Sequence, residues 1–265
     1  MLVSIFEEFS SVTLHLRDAG NTILEGAQAV SRKIYQSIDM MEKDQHRIRK
    51  VQARGEETKK RLLEAATRLF SERGFDGVST RDIAAEAETT LPSIPHHFES
   101  KEGIYQAVLA SIAEEITARL ATASARAMDV LSKKDATRRE KLEALDHLLS
   151  THARSILQSR PEWARLMVHE QLHPSAALTP ITRVLEQYLV GPLAKLIADL
   201  RGLHVKCVEV RLEALVLVGR ILIFRTARHS SLHIMGWEEF TPSRIERIIE
   251  MLSSNLYRLF PKGDS

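Results

Sequence analysis

Leucine, isoleucine, valine and alanine recur three and four residues apart through most of this chain, and no apolar–polar alternation persists. That period predicts an all-α protein. From Glu56 one face collects Leu62, Ala65, Ala66, Leu69 and Phe70, and Gly74 ends the helix. Ser79 with Asp82 makes an N-cap pair for a short helix over RDIAAEA, whose buried side is Ile83, Ala84 and Ala87. Thr89 or Thr90 can cap a third short helix, and Ser100 caps a long fourth that begins KEGIYQAVLASIAEE. Three short helices and a long one, joined by tight turns, form a helix-turn-helix unit.

The rest is helical too. Ala136 to Ser159 carries leucine and isoleucine at helical spacing. Pro161 opens PEWARLMVHEQL, which His173-Pro174 closes. Another helix covers about Pro180 to Leu200, with a kink expected at Gly191-Pro192. Val205 to Ala227 is apolar on more than one face. Thr241-Pro242 is a cap with proline at the first helical position, and Ile245, Ile248, Ile249, Leu252, Leu256 and Leu259 follow it.

Composition narrows the class. Aromatics at 5% and only 11 glycines and 8 prolines favour helices over a sandwich or barrel. The net charge of +2 excludes a polycation, so any nucleic-acid binding must come from local charge. The single cysteine, Cys207, allows no disulfide within the chain and no CxxC metal site, which fits a reducing cytoplasm. The apolar run Ala214 to Phe224 is broken by Arg220 and is too short to span a bilayer, so the chain reads as soluble, with no membrane partner.

The first 52 residues read as an N-terminal extension, partly helical or translated from a mis-assigned start, with Met40 and Met41 as alternative starts. Leu2, Ile5, Phe6, Phe9 and Val12 have helix-like spacing, which Gly20 and Gly26 interrupt. Glu7 and Glu8 stand where a signal peptide would be apolar. Residues 43–61 are basic, with Lys43, Arg47, Arg49, Lys50, Arg54, Lys59, Lys60 and Arg61 diluted by Asp44, Glu56 and Glu57. Such a run is either a solvated helix face or a nucleic-acid contact.

Residues 58–105 resemble the DNA-binding domain of TetR-type transcriptional regulators. The resemblance rests on TKKRLLEAATRLFSERGFDGVSTRDIAAEA followed by TTLPSIPHHFESKEGIY. A helix ending in LF-x-x-x-GF, the TRDIA-x-x-A helix and HHF-x-SKE-x-x-Y occur in order and at the right spacing. More faintly, HEQLHPSAAL (169–178) and GRILIFRTARHSSLHIMGW (219–237) are similar to the C-terminal domain of the CecR-like subgroup. The resemblance implies a helix-turn-helix domain at 53–105 and a helical ligand-binding and dimerisation domain at 106–262. It implies operator DNA, a small-molecule effector and a second copy of the chain as partners, with no cofactor.

The same resemblance implies DNA contacts at Thr80, Arg81, Thr90, Ser93, His96, His97 and Lys101. Thr90 would present backbone N–H groups to a phosphate, and Ser93 could bond a base edge. Phe98 should turn inward and lock the three-helix core. Thr80 could equally be a cap alone, and Lys101 merely solvated. Adjacent histidines point about 100° apart on a helix, so His96 and His97 make a poor metal pair.

Two positions depart from the family. Pro95 stands where the family usually has a tyrosine whose hydroxyl reaches a phosphate, and Glu88 where it usually has glycine. A proline about one turn into the helix would lose the bond to Leu91 and could cost ~3 kcal/mol. Glu88 adds negative charge and loses the freedom of positive φ. Either the first turn reads DNA, backed by the basic stretch 43–61, or DNA binding has weakened.

Candidate effector-pocket residues are Trp163, His169, Glu170, Gln171, Arg220 and Arg225. Arg220, within LVLVGRILIF, needs a partner if buried, and Glu170 or Glu213 could provide a salt bridge. The breadth of apolar surface over 205–227 and 241–260 suits a homodimer through these last two long helices. His204 with Cys207, and His229 with His233, have ligand-like spacing but no third partner in sequence, so no metal site is assigned. No Ser–His–Asp order, phosphate-cradling glycine loop or H-E-x-x-H points to an enzyme. The expectation is therefore a ligand-responsive dimeric repressor, and the alternative is a helical sensor or interaction protein that has lost specific DNA binding.

Overall fold

The computed structural model describes residues 21–261, and among them the regular elements are all helical. The described residues divide into two units, with the boundary between residues 59 and 60. Helix α1, Asn21–Arg73, runs through Gly26 and Gly55. The break expected at Gly26 is therefore absent: one glycine costs a helix only about 1 kcal/mol. The apolar spacing over residues 2–12 and the break at Gly20 fall outside the described residues. In the first unit Tyr35, Ile38, Met40, Met41 and Val51 are all exposed.

In the second unit α2 (Thr80–Glu86), α3 (Ser93–Phe98) and α4 (Lys101–Ser132) follow the end of α1. Next come α5 (Arg138–Leu157) and α6 (Pro161–Leu172). After a 3₁₀ turn at Ala176–Leu178, α7 is Thr179–Leu185 and α8 is Gly191–Arg201. Helices α9 (Val208–Thr226), α10 (Arg228–Met235) and α11 (Pro242–Leu259) complete the chain. The interruption expected at Gly191-Pro192 is a π-helical turn, Glu186–Val190, which closes with the Gly191 N–H on the Glu186 carbonyl. A Cβ on Gly191 would come within 2.8 Å of that oxygen, so the turn needs glycine there.

Helix α4 is the spine of this unit. Its first half, from Ile104 to Ala113, packs with the end of α1, with α2 and α3, and with Trp163, Leu166 and Ile181. Its second half, from Leu120 to Val130, packs with α5, α8, α9 and the end of α11. A third cluster joins the end of α5 to Ile221, Phe240, Ile245, Ile248 and Ile249.

The apolar excess on α9 resolves into two faces. Val210, Ala214, Leu217 and Ile221 are buried, while Val208, Leu212, Leu215, Val216, Leu222 and Ile223 face outward. Helix α11 likewise buries Ile245, Ile248, Ile249 and Leu256 and leaves Met251, Tyr257 and Leu259 exposed.

Candidate nucleic-acid interface

The turn between α2 and α3 is set by local chemistry. The Ser79 hydroxyl accepts from the Asp82 N–H and the Asp82 carboxylate accepts from the Ser79 N–H, a reciprocal capping box. The Ser79 hydroxyl also donates to the Asp82 carboxylate at 2.6 Å, and this bond, followed by that from the Ser79 N–H, holds the carboxyl below the usual carboxylate range. Thr80 is the first residue of α2 and half-buried; the cap is Ser79, and Arg81 beside it is exposed. At the other end the Thr89 N–H reaches the Ala84 carbonyl (2.9 Å) and the Glu88 N–H reaches Ala85 (3.1 Å). That is a Schellman turn, which places its residue after the cap in the left-handed region. Glu88 occupies the position, with φ +50°.

Side chains tie this turn back to α1. The Arg61 guanidinium donates to the Glu88 carbonyl at 3.4 Å, and Arg68 pairs with Glu86 at 3.0 Å.

Helix α3 starts later than the sequence suggested, and this changes the account of Pro95. The helix begins at Ser93, so Pro95 is its third residue. Amides of a first turn have no partner within the helix, so a proline there forfeits little. The Leu91 carbonyl, which Pro95 would have left empty, accepts from the Ile94 N–H at 3.2 Å. Thr90 starts the turn with its carbonyl on the Ser93 N–H (3.0 Å). The Ser93 hydroxyl lies 3.1 Å from both the Thr89 and Thr90 hydroxyls, so it is engaged within the turn.

Ile94 and Phe98 point into the core, as expected for Phe98. The outward face holds Leu91, Pro92, Pro95 and His96, all exposed, with Thr90 beside them. His97 is half-buried, its ring centroid 4.8 Å from that of His96.

The link from α3 to α4 is strained. The Ser100 N–H donates to the Phe98 carbonyl at 2.7 Å, closing a γ-turn with Glu99 at φ +65°. The Phe98 carbonyl is thereby pressed against Gly103, where a Cβ would come within 1.9 Å of it. The Ser100 hydroxyl then caps α4 by accepting from the Gly103 N–H at 3.1 Å. Lys101 opens α4 with its Nζ 4.2 Å from the centroid of the Phe75 ring.

The candidate pocket residues are not gathered into one cavity. Trp163 is buried in the core beneath the helix-turn-helix, and Gln171 is exposed. Glu170, 3% exposed, accepts from the Tyr105 hydroxyl at 2.5 Å and from the Ser175 hydroxyl and N–H at 3.0 and 3.1 Å. This joins α6 to the first turns of α4. Burial, and then the Glu170 carboxylate, push the Tyr105 phenol well above its ordinary value. His169 and Glu170 line an open cleft of about 500 Å³ that also includes Arg73, Phe75, Glu102 and His173.

Arg225 is buried and donates to the carbonyls of Ser159 (2.9 Å) and Arg160, at the end of α5. Burial and the nearby Arg228 hold its guanidinium below the ordinary value. Arg220 makes neither of the ion pairs expected for it, because Glu213 binds Arg201 at 2.6 Å and Glu170 is engaged as described. It lies half-buried between α5, α9 and α11.

Comparison with known proteins meets this geometry in both parts. Residues 62–108 match bacterial regulatory proteins of the tetR family. Residues 139–260 match the C-terminal domain of the HTH-type transcriptional dual regulator CecR. The chain is 27% identical over 208 residues to the HTH-type transcriptional dual regulator CecR of Shigella flexneri, covering 77% of this chain and 91% of that protein. It is 33% identical over 67 residues to the probable HTH-type transcriptional regulator YttP of Bacillus subtilis, covering 25% and 32%. Among solved structures, AibR in complex with isovaleryl coenzyme A and operator DNA superposes with a TM-score of 0.53 at 19% identity, covering 77% of this chain and 98% of AibR. The fatty acid degradation regulator FadR from Bacillus halodurans gives 0.51 at 14% identity, covering 75% and 94%. Both share the fold.

Proposed function

We propose, on the premise that the chain belongs to the TetR family of DNA-binding transcriptional regulators and carries a CecR-type C-terminal domain, that it acts as a homodimeric repressor whose operator affinity an effector controls. The chain is a transcription regulator and not an enzyme. Residues 53–105 serve as the DNA-binding domain and 106–262 as the effector and dimerisation domain, with 1–52 as an extension. As a regulator of chromosomal DNA it works in the cytoplasm; no helix among the described residues is long and apolar enough to cross a membrane.

The observation that carries this reading is the outward face of α3. Leu91 and Pro92, in the turn that leads into α3, stand exposed with Thr90 beside Pro95 and His96, and the helix is locked on its other side by Ile94 and Phe98. Such a face reads a major groove through apolar contact with thymine methyl groups and through few hydrogen bonds. Arg81, Thr80 and Lys101 supply phosphate contacts around it. Lys101 must leave the Phe75 ring to do so; both residues are half-buried, and a cation–π contact of about 0.5–2 kcal/mol is exchanged for a charge-assisted bond to a phosphate. Ser93 and His97 support the turn and the helix end. The positive charge of 43–61 adds sequence-independent attraction.

The outward apolar faces of α9 and α11 pair with those of a second copy in a four-helix bundle, so the operator is an inverted repeat. The alternative, a sensor without specific DNA binding, draws on Glu88 and Glu99, two carboxylate residues at positive φ on either side of α3. Selection from a pool of randomised duplexes, followed by sequencing, separates the two. Enrichment of one inverted repeat supports the repressor; a pool that stays random removes it in favour of the sensor.

A further inference from the structure

We infer that the cleft between the end of α1, the start of α4 and α6 is a binding site for an organic cation with an apolar, ring-sized body, its ammonium group held at Glu170. The inference stands on the cleft itself and goes beyond the regulator reading, since it requires no DNA.

Glu170 is 3% exposed and lines the cleft. Its carboxylate accepts from the Tyr105 hydroxyl and from the Ser175 hydroxyl and N–H. All three donors are neutral, and among the described residues no lysine, arginine or histidine pairs with it. A buried charge ordinarily has an opposite charge beside it, because neutral donors offset only part of its desolvation. A carboxylate has roughly four acceptor sites. Three donor hydrogens therefore leave room for one more, and a ligand ammonium supplies both that hydrogen and the missing charge.

The rest of the cleft suits a charge carried on an organic body. Its volume of about 500 Å³ falls within the roughly 300–1,000 Å³ of small-molecule sites. Asp76 and Glu102, both exposed, add two further carboxylates, and Arg73 is the one arginine or lysine on its lining. Among the described residues Arg73 pairs with none of the three, and its charge acts on Asp82 outside the cleft. Phe75 and Tyr105, with ring centroids 5.0 Å apart, line the same space together with His169. Aromatic rings attract cations, and Phe75 already takes the Lys101 ammonium at 4.2 Å. Among the described residues no three His, Cys, Asp or Glu side chains could hold a metal ion, so the fit is to an organic cation. None of the lining residues belongs to α9 or α11, so the dimer proposed above leaves the cleft open, and none is a residue given a DNA contact.

The test uses 2-phenylethylamine, 2-phenylethanol and 3-phenylpropionate, which share a ring and a short chain and differ in charge. Each is titrated calorimetrically into the full-length protein without DNA, so this site and operator binding can fail separately. The expected result is saturable amine binding at one per chain, at least roughly tenfold tighter than the alcohol, with the carboxylate weakest. In Glu170→Gln the preference for amine over alcohol should disappear. Asp76→Asn and Glu102→Gln change exposed side chains, so the protein carrying both keeps the test decisive if Glu170→Gln does not fold. Each should weaken the amine roughly twofold and leave the alcohol unchanged. Equal binding of amine and alcohol, tighter binding of the carboxylate, or no saturable binding of the amine overturns the inference. So does an amine preference that survives in folded Glu170→Gln, or amine binding that the paired Asp76 and Glu102 changes leave untouched.

Discussion

Replacing Glu88 by glycine removes two separable burdens from the DNA-binding headpiece. One is conformational. Glu88 sits at φ +50° in the Schellman turn that ends α2. An L-residue in the left-handed region costs about 1–2 kcal/mol. Glycine escapes that cost but returns about 0.4–1 kcal/mol as extra freedom of the unfolded chain. The bond from Arg61 goes to the Glu88 backbone carbonyl and survives the change. The net expectation is a gain of about 0.5–1 kcal/mol, or about 1–4 °C in Tm for a domain of this size.

The second burden is electrostatic. A carboxylate some 8 Å from a phosphate in water is repelled by about 0.5 kcal/mol, roughly a twofold loss in affinity. Glu88→Ala separates the two, because it removes the charge and keeps a Cβ at positive φ. Calorimetric melting should rank glycine above both alanine and wild type, while anisotropy should show the same roughly twofold gain in DNA affinity for both variants. Equal Tm for the glycine and alanine variants would refute the strain argument. A DNA gain confined to glycine would refute the charge argument.

Other expectations follow from single contacts. Tyr105→Phe deletes one bond to the buried Glu170 carboxylate and should cost about 1.5–3 kcal/mol in urea denaturation; a loss below about 0.5 kcal/mol would show that the bond holds nothing together. Burial pushes His152 down from 6.5 to about 4. The unfolded state then binds the proton first, so stability is present above pH 6.5 and is lost as pH falls toward 4, by about 3 kcal/mol in all. Comparing wild type with His152→Gln in urea at neutral and mildly acidic pH should show that difference; parallel pH dependence would contradict it. Lys101→Ala should weaken binding to every duplex and lower the salt slope by about one. Leu91→Ala should instead change which sequence is preferred and leave the slope alone, and a slope change at Leu91 would count against its apolar role.

The features legible in the sequence are those whose physics is local. Ser79 with Asp82, Ser100, Pro161 and Thr241-Pro242 mark helix starts because a hydroxyl or a proline acts within one turn of its own position. The inward turn of Phe98 is implied by the family resemblance, and Phe98 is buried. The start of α3 was not legible, since it depends on three hydroxyls, those of Thr89, Thr90 and Ser93, interlocking in one turn. Without that register, Pro95 looks like an interior break.

Gly103 gave no signal either: its need for a bare Cα arises from the Phe98 carbonyl delivered by the γ-turn at Glu99. The candidate pocket residues are dispersed in the fold for a related reason. Tyr105 and Glu170 are 65 positions apart, and Arg225 meets Ser159 across 66, so nothing near either residue in sequence announces its partner. The burial of His152 was missed because a histidine within a leucine-rich helix has an ordinary pattern, and only the three-dimensional packing shows its Nε2 unmatched.

The central claim is that the outward face of α3 reads a specific DNA sequence. Fluorescence anisotropy of the purified protein against the duplex upstream of its own gene, beside a scrambled duplex and across a salt series, tests it most directly. The account predicts nanomolar binding to the native duplex alone, weakening steeply as salt rises. Binding that is equal on both duplexes, or absent from both, would contradict it.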